Sequence, residues 1–234
     1  MKTVILAGGL GTRLSEETKL KPKPMVEIGG KPILWHIMKI FSHFGFNEFV
    51  ICCGYKGEII KDFFKNSTES WSVELVDTGL ETMTGGRIKK VEKFLDDQSF
   101  FLTYGDDLKA VDILKLLQFH NKHKKLVTLT AVQPPGRFGI LDIKGNDVTS
   151  ILEKPPGDGN WINGGYYVLE PSILDHIHND SDIWETNQLQ KFTTTNQVSA
   201  FKYSGIYQPM DTINDKEKLL KMWNSNNAYW KIWK

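Results

Sequence analysis

The sequence predicts an α/β protein built on a Rossmann-like, doubly wound and mainly parallel sheet. Three observations predict it. Short β-branched or apolar runs alternate with helical patterns along the chain. The length of 234 residues with 40% hydrophobic composition suffices for a sizeable core. And the absence of any linker, repeat or low-complexity stretch argues for one domain over 1–234.

The elements follow in order. Thr3 to Ala7 reads as the first strand. Pro32 opens a helix whose apolar face carries Ile33, Leu34, Ile37, Met38, Phe41 and Phe44, with Gly45 as its stop. Phe49 to Cys53 is a strand, Gly57 to Lys65 a helix and Val73 to Val76 a strand, after which Thr82-Met83-Thr84-Gly85-Gly86 reads as a polar loop. Ser99 to Tyr104 is a buried strand, and Asp112 caps a helix carrying Ile113, Leu114, Leu117 and Phe119. Leu126 to Val132 is a strand and Pro134-Pro135-Gly136 a turn. Strands at Tyr166 to Leu169 and Val198 to Tyr203 and a helix from Asn214 to Trp223 complete the chain. In such sheets ligands bind beyond the carboxyl ends of the strands, so the loops after Ala7, Val76 and Tyr104 are expected to meet.

Composition excludes several classes. Lys plus Arg (29) balances Asp plus Glu (28), and a net charge of +1 gives no electrostatic basis for a nucleic-acid or acidic-membrane partner. No apolar run reaches the ~18 residues of a membrane span and the N-terminal run is too short for a signal core, so a cytoplasmic location is expected. Cys52 and Cys53 are adjacent, point to opposite faces of a strand and read as small buried hydrophobes. There is no Gly-x-Ser-x-Gly elbow, zinc helix or Cys-x-x-Cys. His120 and His123 suit a helix C-terminus as well as a metal, and the aromatic tail Trp223, Tyr229, Trp230 and Trp233 is read as docking on the core or a partner subunit.

What remains points to phosphate chemistry. Directly after the first strand come Gly8-Gly9-Leu10-Gly11-Thr12-Arg13 and then Lys21-Pro22-Lys23-Pro24. Glycines let backbone N–H groups approach phosphate oxygens, and Arg13 and Lys23 supply countercharge. Leu14 stands where a dinucleotide fingerprint needs its last glycine, and no Walker ending is present. Gly105-Asp106-Asp107 sets carboxylates at the ligand edge, where hard oxygen ligands suit Mg²⁺ and a turn Asp is the ordinary alternative. Asp211 in Gln208-Pro209-Met210-Asp211-Thr212 fits a metal ligand and a helix N-cap equally well. Glu153-Lys154-Pro155 and Asn163-Gly164-Gly165 offer a cation, a carboxylate and an amide for a phosphate and sugar hydroxyls, or simply a salt-bridged surface loop.

Taken in order, these segments, with Thr82-Met83-Thr84-Gly85-Gly86-Arg87 and Pro134-Pro135-Gly136-Arg137-Phe138-Gly139, resemble the sugar nucleotidyltransferase superfamily, and within it the glucose-1-phosphate cytidylyltransferases. The resemblance covers nearly the whole chain. It implies a nucleotide-diphospho-sugar transferase fold and transfer of a cytidylyl group from CTP to a sugar 1-phosphate, with release of pyrophosphate. The product would feed surface-polysaccharide or deoxysugar biosynthesis.

By the same resemblance, Leu6, Ala7, Gly8, Gly9, Leu10, Gly11, Thr12, Arg13, Lys23, Thr82, Arg87 and Gly105 would line the nucleotide site. Asp106 and Asp211 would hold Mg²⁺, with Arg13, Lys23 and Asp106 the catalytic groups. Glu153, Lys154, Asn163 and Gly164 would bind the sugar phosphate, Lys154 facing its phosphate and Glu153 and Asn163 near the sugar hydroxyls, and a homo-oligomer is implied. A UTP- or dTTP-dependent enzyme and a non-catalytic regulatory subunit are the rival readings. The chain departs from the family pattern in a shorter segment between Phe64 and Trp71, in Asp107 where a second glycine is usual, and in Trp184-Glu185-Thr186-Asn187-Gln188-Leu189, which lacks a proline before leucine.

Overall fold

Strand β1 (Thr3–Leu6) is buried at all four positions, so both of its faces must be covered. The computed structural model describes the backbone of residues 1–234 and every side chain except those of Arg13 and Ser15. After β1 come α1 (Ile33–His43), β2 (Glu48–Cys53), α2 (Gly57–Lys65) and β3 (Ser72–Asp77). Then follow α3 (Thr84–Lys90), β4 (Phe100–Tyr104), α4 (Ile113–His123) and β5 (Val127–Val132). The hairpin β6 (Ile140–Lys144) and β7 (Asp147–Leu152), β8 (Ile162–Leu169), β9 (Val198–Lys202) and α5 (Ile213–Asn224) complete the main elements.

Seven strands form one sheet in the order β9-β5-β8-β4-β1-β2-β3, parallel throughout except for β8, which runs antiparallel to both neighbours. The predicted doubly wound, mainly parallel sheet is thus observed. Strand alternation separates two apolar layers. Ile5, Ile51, Cys53, Phe101 and Val168 face α1 and the C-terminal segment. Val4, Val50, Cys52, Leu102 and Tyr167 face Ile88, Trp184 and Phe192. Cys52 and Cys53 therefore lie in opposite layers, both as buried thiols.

Local signals worked where the partner is local. Asp112 Oδ1 accepts the Lys115 N–H at 3.0 Å at the start of α4, and α1 stops just before Gly45, whose φ is +88°. The segment 82–86 is a correction: only its first residues are loop, and Thr84-Gly85-Gly86 opens α3. Two glycines weaken a helix signal. Here the free N–H groups of Gly85 and Gly86 are capped by the Asp182 carbonyl at 2.8 and 3.2 Å, from a distant part of the chain. Residues 134–136 form irregular chain rather than a turn. The hairpin β6–β7 went unread, although Gly145-Asn146 between alternating Leu141, Ile143 and Val148 is a two-residue hairpin signal.

The aromatic tail docks on the core around His36, which is fully buried among Trp35, Trp223, Trp230 and Trp233. Trp230 Nε1 donates to His36 Nδ1 at 3.3 Å, so the neutral ring carries its proton on Nε2 and donates to the Ile28 carbonyl at 2.8 Å. A second proton would break the tryptophan bond. Burial lowers the His36 pKa to about 4 from 6.5. Between those values the unfolded chain binds more protons, so stability falls as pH drops, by on the order of 3 kcal/mol over the whole window. We expect the wild-type melting temperature to fall more steeply than that of His36→Gln from about pH 7 to 4.5. Parallel curves would refute the assignment. Among the described residues no helix is long and apolar enough to cross a membrane.

Candidate active site

The loops after β1, β3 and β4 do meet. A cavity of about 490 Å³ is lined by residues 6–12, Lys23, Pro24, residues 80–84, Arg87, Tyr104 and Asp106, a volume typical of small-ligand sites. It opens at the carboxyl edge of the parallel strands, where β1 and β4 end side by side with Leu6 opposite Tyr104.

Its charged centre is assembled from three distant parts of the chain. The short antiparallel pair of Asp107–Leu108 with Gln208–Pro209 aligns Leu108 with Gln208 and Asp107 with Pro209. That register brings Asp106 and Asp211, each flanking its strand, onto one ammonium: Lys23 Nζ lies 2.8 Å from Asp106 Oδ2 and 2.7 Å from Asp211 Oδ1. Burial alone would lower the Lys23 pKa, but the two carboxylates outweigh it and raise it, so Lys23 is a fixed cation. The competing role for Asp211 falls away, because the N-cap of α5 is Thr212 in a capping box with Asp215.

Other expected residues fall into three groups. Leu6 to Thr12 and Thr82 line the cavity. Arg13 belongs to the same loop, and its side chain lies outside the described residues. Arg87 reaches the wall, yet its guanidinium is turned to the scaffold. Nη1 donates to Cys53 O, Thr78 Oγ1 and Gly79 O at 3.2, 2.6 and 2.8 Å, and Nη2 to Gly8 O and Leu80 O at 3.1 and 3.2 Å. It therefore latches the glycine loop from behind, and a Cβ on Gly8 would collide with Nη1. Gly105 packs against Pro24 just outside the lining and donates to Leu6 O at 3.1 Å.

Glu153, Lys154, Asn163 and Gly164 do not line the cavity. Glu153 and Lys154 are exposed and pair with each other at 3.3 Å. Gly164 is buried in β8, and the Asn163 amide donates to the Tyr167 hydroxyl, which lies 3.3 Å from that of Tyr104. Asn163 is thus tied to the cavity through two tyrosines. His120 and His123 both bond Thr128 Oγ1, at 2.8 and 2.7 Å, which joins α4 to β5. No group of three or more metal-ligating side chains occurs among the described residues.

Sequence reasoning missed Lys109. It is wholly buried, paired with Asp107 and 3.8 Å from the Tyr166 ring centroid. Burial pushes the Asp107 carboxyl up and the Lys109 ammonium down, so each is the condition for charging the other. Lys109 lies just beyond the two-residue strand Asp107–Leu108, too short a run for strand periodicity to announce the pair. The unusual Asp107 thus carries its own counterion.

Comparison with known proteins fits this geometry. The family profile described as "Nucleotidyl transferase" matches residues 2–226. The chain is 51% identical over 256 aligned positions to a glucose-1-phosphate cytidylyltransferase of Salmonella typhimurium, and 36% identical over 255 to a probable glucose-1-phosphate cytidylyltransferase of Bacillus subtilis, with all of each chain covered. Among solved structures, HddC from Yersinia pseudotuberculosis superposes with a TM-score of 0.76 at 30% identity, covering 95% of this chain and 99% of that one. With profile, full-length relatives and superposed fold all in agreement, the chain belongs to the nucleotidyl transferase family.

Proposed function

We propose that this chain transfers the cytidylyl group of CTP to a sugar 1-phosphate, first of all glucose 1-phosphate, giving a CDP-sugar and pyrophosphate. The observation that carries the reading is Lys23, on the wall of a cavity rimmed by the glycine loop, held 2.8 Å from Asp106, which also lines it, and 2.7 Å from Asp211 just outside the lining. A chain 51% identical to a glucose-1-phosphate cytidylyltransferase supports the choice of substrates.

A sugar phosphate oxygen is already an anionic nucleophile. Its in-line attack on the α-phosphorus forms one P–O bond as the bond to pyrophosphate breaks, and needs positioning and charge neutralisation rather than a base. Residues 6–12 and Thr82 hold the nucleotide, Lys23 meets the charge gathering on the α-phosphate, and Arg13 is assigned to the leaving pyrophosphate. Asp106 and Asp211 would hold Mg²⁺, which supplies positive charge to the nucleotide phosphates when bound. Two carboxylates converging on one cation fit a hard ion that draws its other ligands from water and phosphate. Glu153, Lys154, Asn163 and Gly164 are proposed for the sugar phosphate.

Cytosine presents an amino donor and an unprotonated ring acceptor where uracil presents the reverse, so polar groups matched to one base are left unpaired by the other. With CTP and UTP at equal concentration and glucose 1-phosphate as acceptor, we expect CDP-sugar to dominate by about 100-fold or more. Equal yields, or excess UDP-sugar, would replace the cytidylyl reading with a uridylyl one. No pyrophosphate release with any nucleotide would favour the regulatory subunit.

A homo-oligomer is part of the same proposal. Leu141, Ile143, Val148, Ile151 and Leu152 of the hairpin β6–β7 are exposed, and a two-stranded ribbon is marginal in water by itself. Light scattering should give a mass of at least two chains for the wild type, reduced by Ile143→Asp with Ile151→Asp. A monomeric wild type would remove this part.

A further inference from the structure

Glu185 sits in a segment whose placement is unusually constrained. Trp184–Leu189 forms a π-helix, a wide turn that is rare and concentrates at functional sites. The preceding residues press on α3 so closely that only glycine fits opposite them. A methyl group on Gly85 would sit 2.7 Å from the Asp182 carbonyl oxygen, and one on Gly86 2.7 Å from Asp180 Cα. The two glycines of the Thr-Met-Thr-Gly-Gly-Arg motif thus serve to admit this segment behind α3 and the cavity wall.

The half-buried Glu185 carboxylate then grips two side chains of that wall. Thr84 Oγ1 donates to Oε2 at 2.8 Å, and the Tyr104 hydroxyl donates to Oε1. Behind Tyr104 the Tyr167 hydroxyl lies at 3.3 Å, itself reached by the Asn163 amide, and behind Thr84 stands the Trp184 N–H at 2.9 Å. Every donor along both arms points toward Glu185, the common acceptor. A carboxylate has about four lone-pair sites, and these arms fill two.

We propose that Glu185 accepts a hydroxyl of the acceptor sugar and so helps to decide which sugar 1-phosphate is used. The inference rests on the nucleotidyltransferase reading above. It commits to the sugar rather than the base because Tyr104 ends β4 two residues before Asp106, beside the charged centre where the sugar phosphate must reach the α-phosphorus. The arm behind Tyr104 ends on Asn163, and hydroxyl and amide groups in series suit a polyhydroxylated ligand. Thr84 and Tyr104 line the cavity, and the Glu185 carboxylate stands directly behind both, bonded to each.

The test uses the full chain with CTP and either glucose 1-phosphate or its 2-, 3-, 4- and 6-deoxy forms, in wild type, Glu185→Ala and Glu185→Gln. We expect wild type to lose about 10- to 100-fold in kcat/KM with one deoxy sugar, the worth of a hydrogen bond to a charged group. Glu185→Ala should lose a similar factor with glucose 1-phosphate, mainly in KM for the sugar. It should handle that deoxy sugar as well as wild type does, with KM for CTP unchanged. Equal losses on all sugars would make Glu185 a scaffold residue, and a changed CTP-to-UTP preference would make it a base contact; either overturns the proposal. Should Glu185→Ala melt below the assay temperature, Glu185→Gln decides, and unchanged sugar discrimination there overturns it as well. Wild type without CDP-glucose formation sinks the underlying reading, and this inference with it.

Discussion

Replacing Asp106 by Asn is expected to lower Mg²⁺-dependent turnover by roughly 10³-fold while leaving the fold intact, and Asp211→Asn to do the same. The amide matches the carboxylate in volume, so the cost lies in charge. Each variant removes one of two anionic ligands proposed for a hard cation, and amides bind Mg²⁺ far less well than carboxylates. Stability should change little, because the Asp106 and Asp211 side chains are 34% and 28% exposed and partly screened ion pairs contribute at most about 1 kcal/mol. For a chain of this size that is ~2–4 °C in melting temperature. Turnover, melting curves and a Mg²⁺ titration of the melting temperature together check the assignment. Near-normal Mg²⁺-dependent rates in either variant would remove that residue from the metal site.

Lys23→Ala should damage kcat more than KM for the nucleotide, again by roughly 10³-fold, because a cation on the transferring phosphate acts chiefly as charge redistributes in the transition state. The structure adds a second consequence. The contacts of 2.8 and 2.7 Å hold the Asp106 and Asp211 oxygens within about 5.5 Å of each other with Lys23 between them. Without that ammonium their repulsion is of order 1–3 kcal/mol, reduced by solvent at the open side. The variant should therefore melt lower than wild type in chelator and gain more from added Mg²⁺. A rise confined to KM would assign Lys23 to ground-state binding. An unchanged melting temperature in chelator would mean that the carboxylates relax apart.

Much of the fold was legible because its signals are local. The apolar runs of β1, β2, β4 and β5, the helix from Gly57 to Lys65, the Asp112 cap and the stop at Gly45 each depend on residues within a few positions of one another. The glycine loop and Lys23 were likewise legible, since a loop leaving a buried parallel strand has to open at the ligand edge of the sheet. The start of α3 was hidden because its cap comes from Asp182, and the true duty of Arg87 because its acceptors are backbone carbonyls with no sequence signature.

The sequence by itself determined which chemical groups are available: a phosphate loop, a lysine and acidic residues at strand edges, in an order shared with a family of sugar-activating enzymes. Only the tertiary structure decided which of them form one site. Lys23 lies 83 residues from Asp106 and 188 from Asp211, and the three meet because two short strands, at 107–108 and 208–209, pair in one register. Glu185 reaches Thr84 across 101 residues because two glycines leave room for its segment. Periodicity and caps report what a residue does with its near neighbours. Long-range register and close backbone approach depend on atoms from segments that the local pattern does not connect, so they became visible only once the sheet had fixed both segments in space.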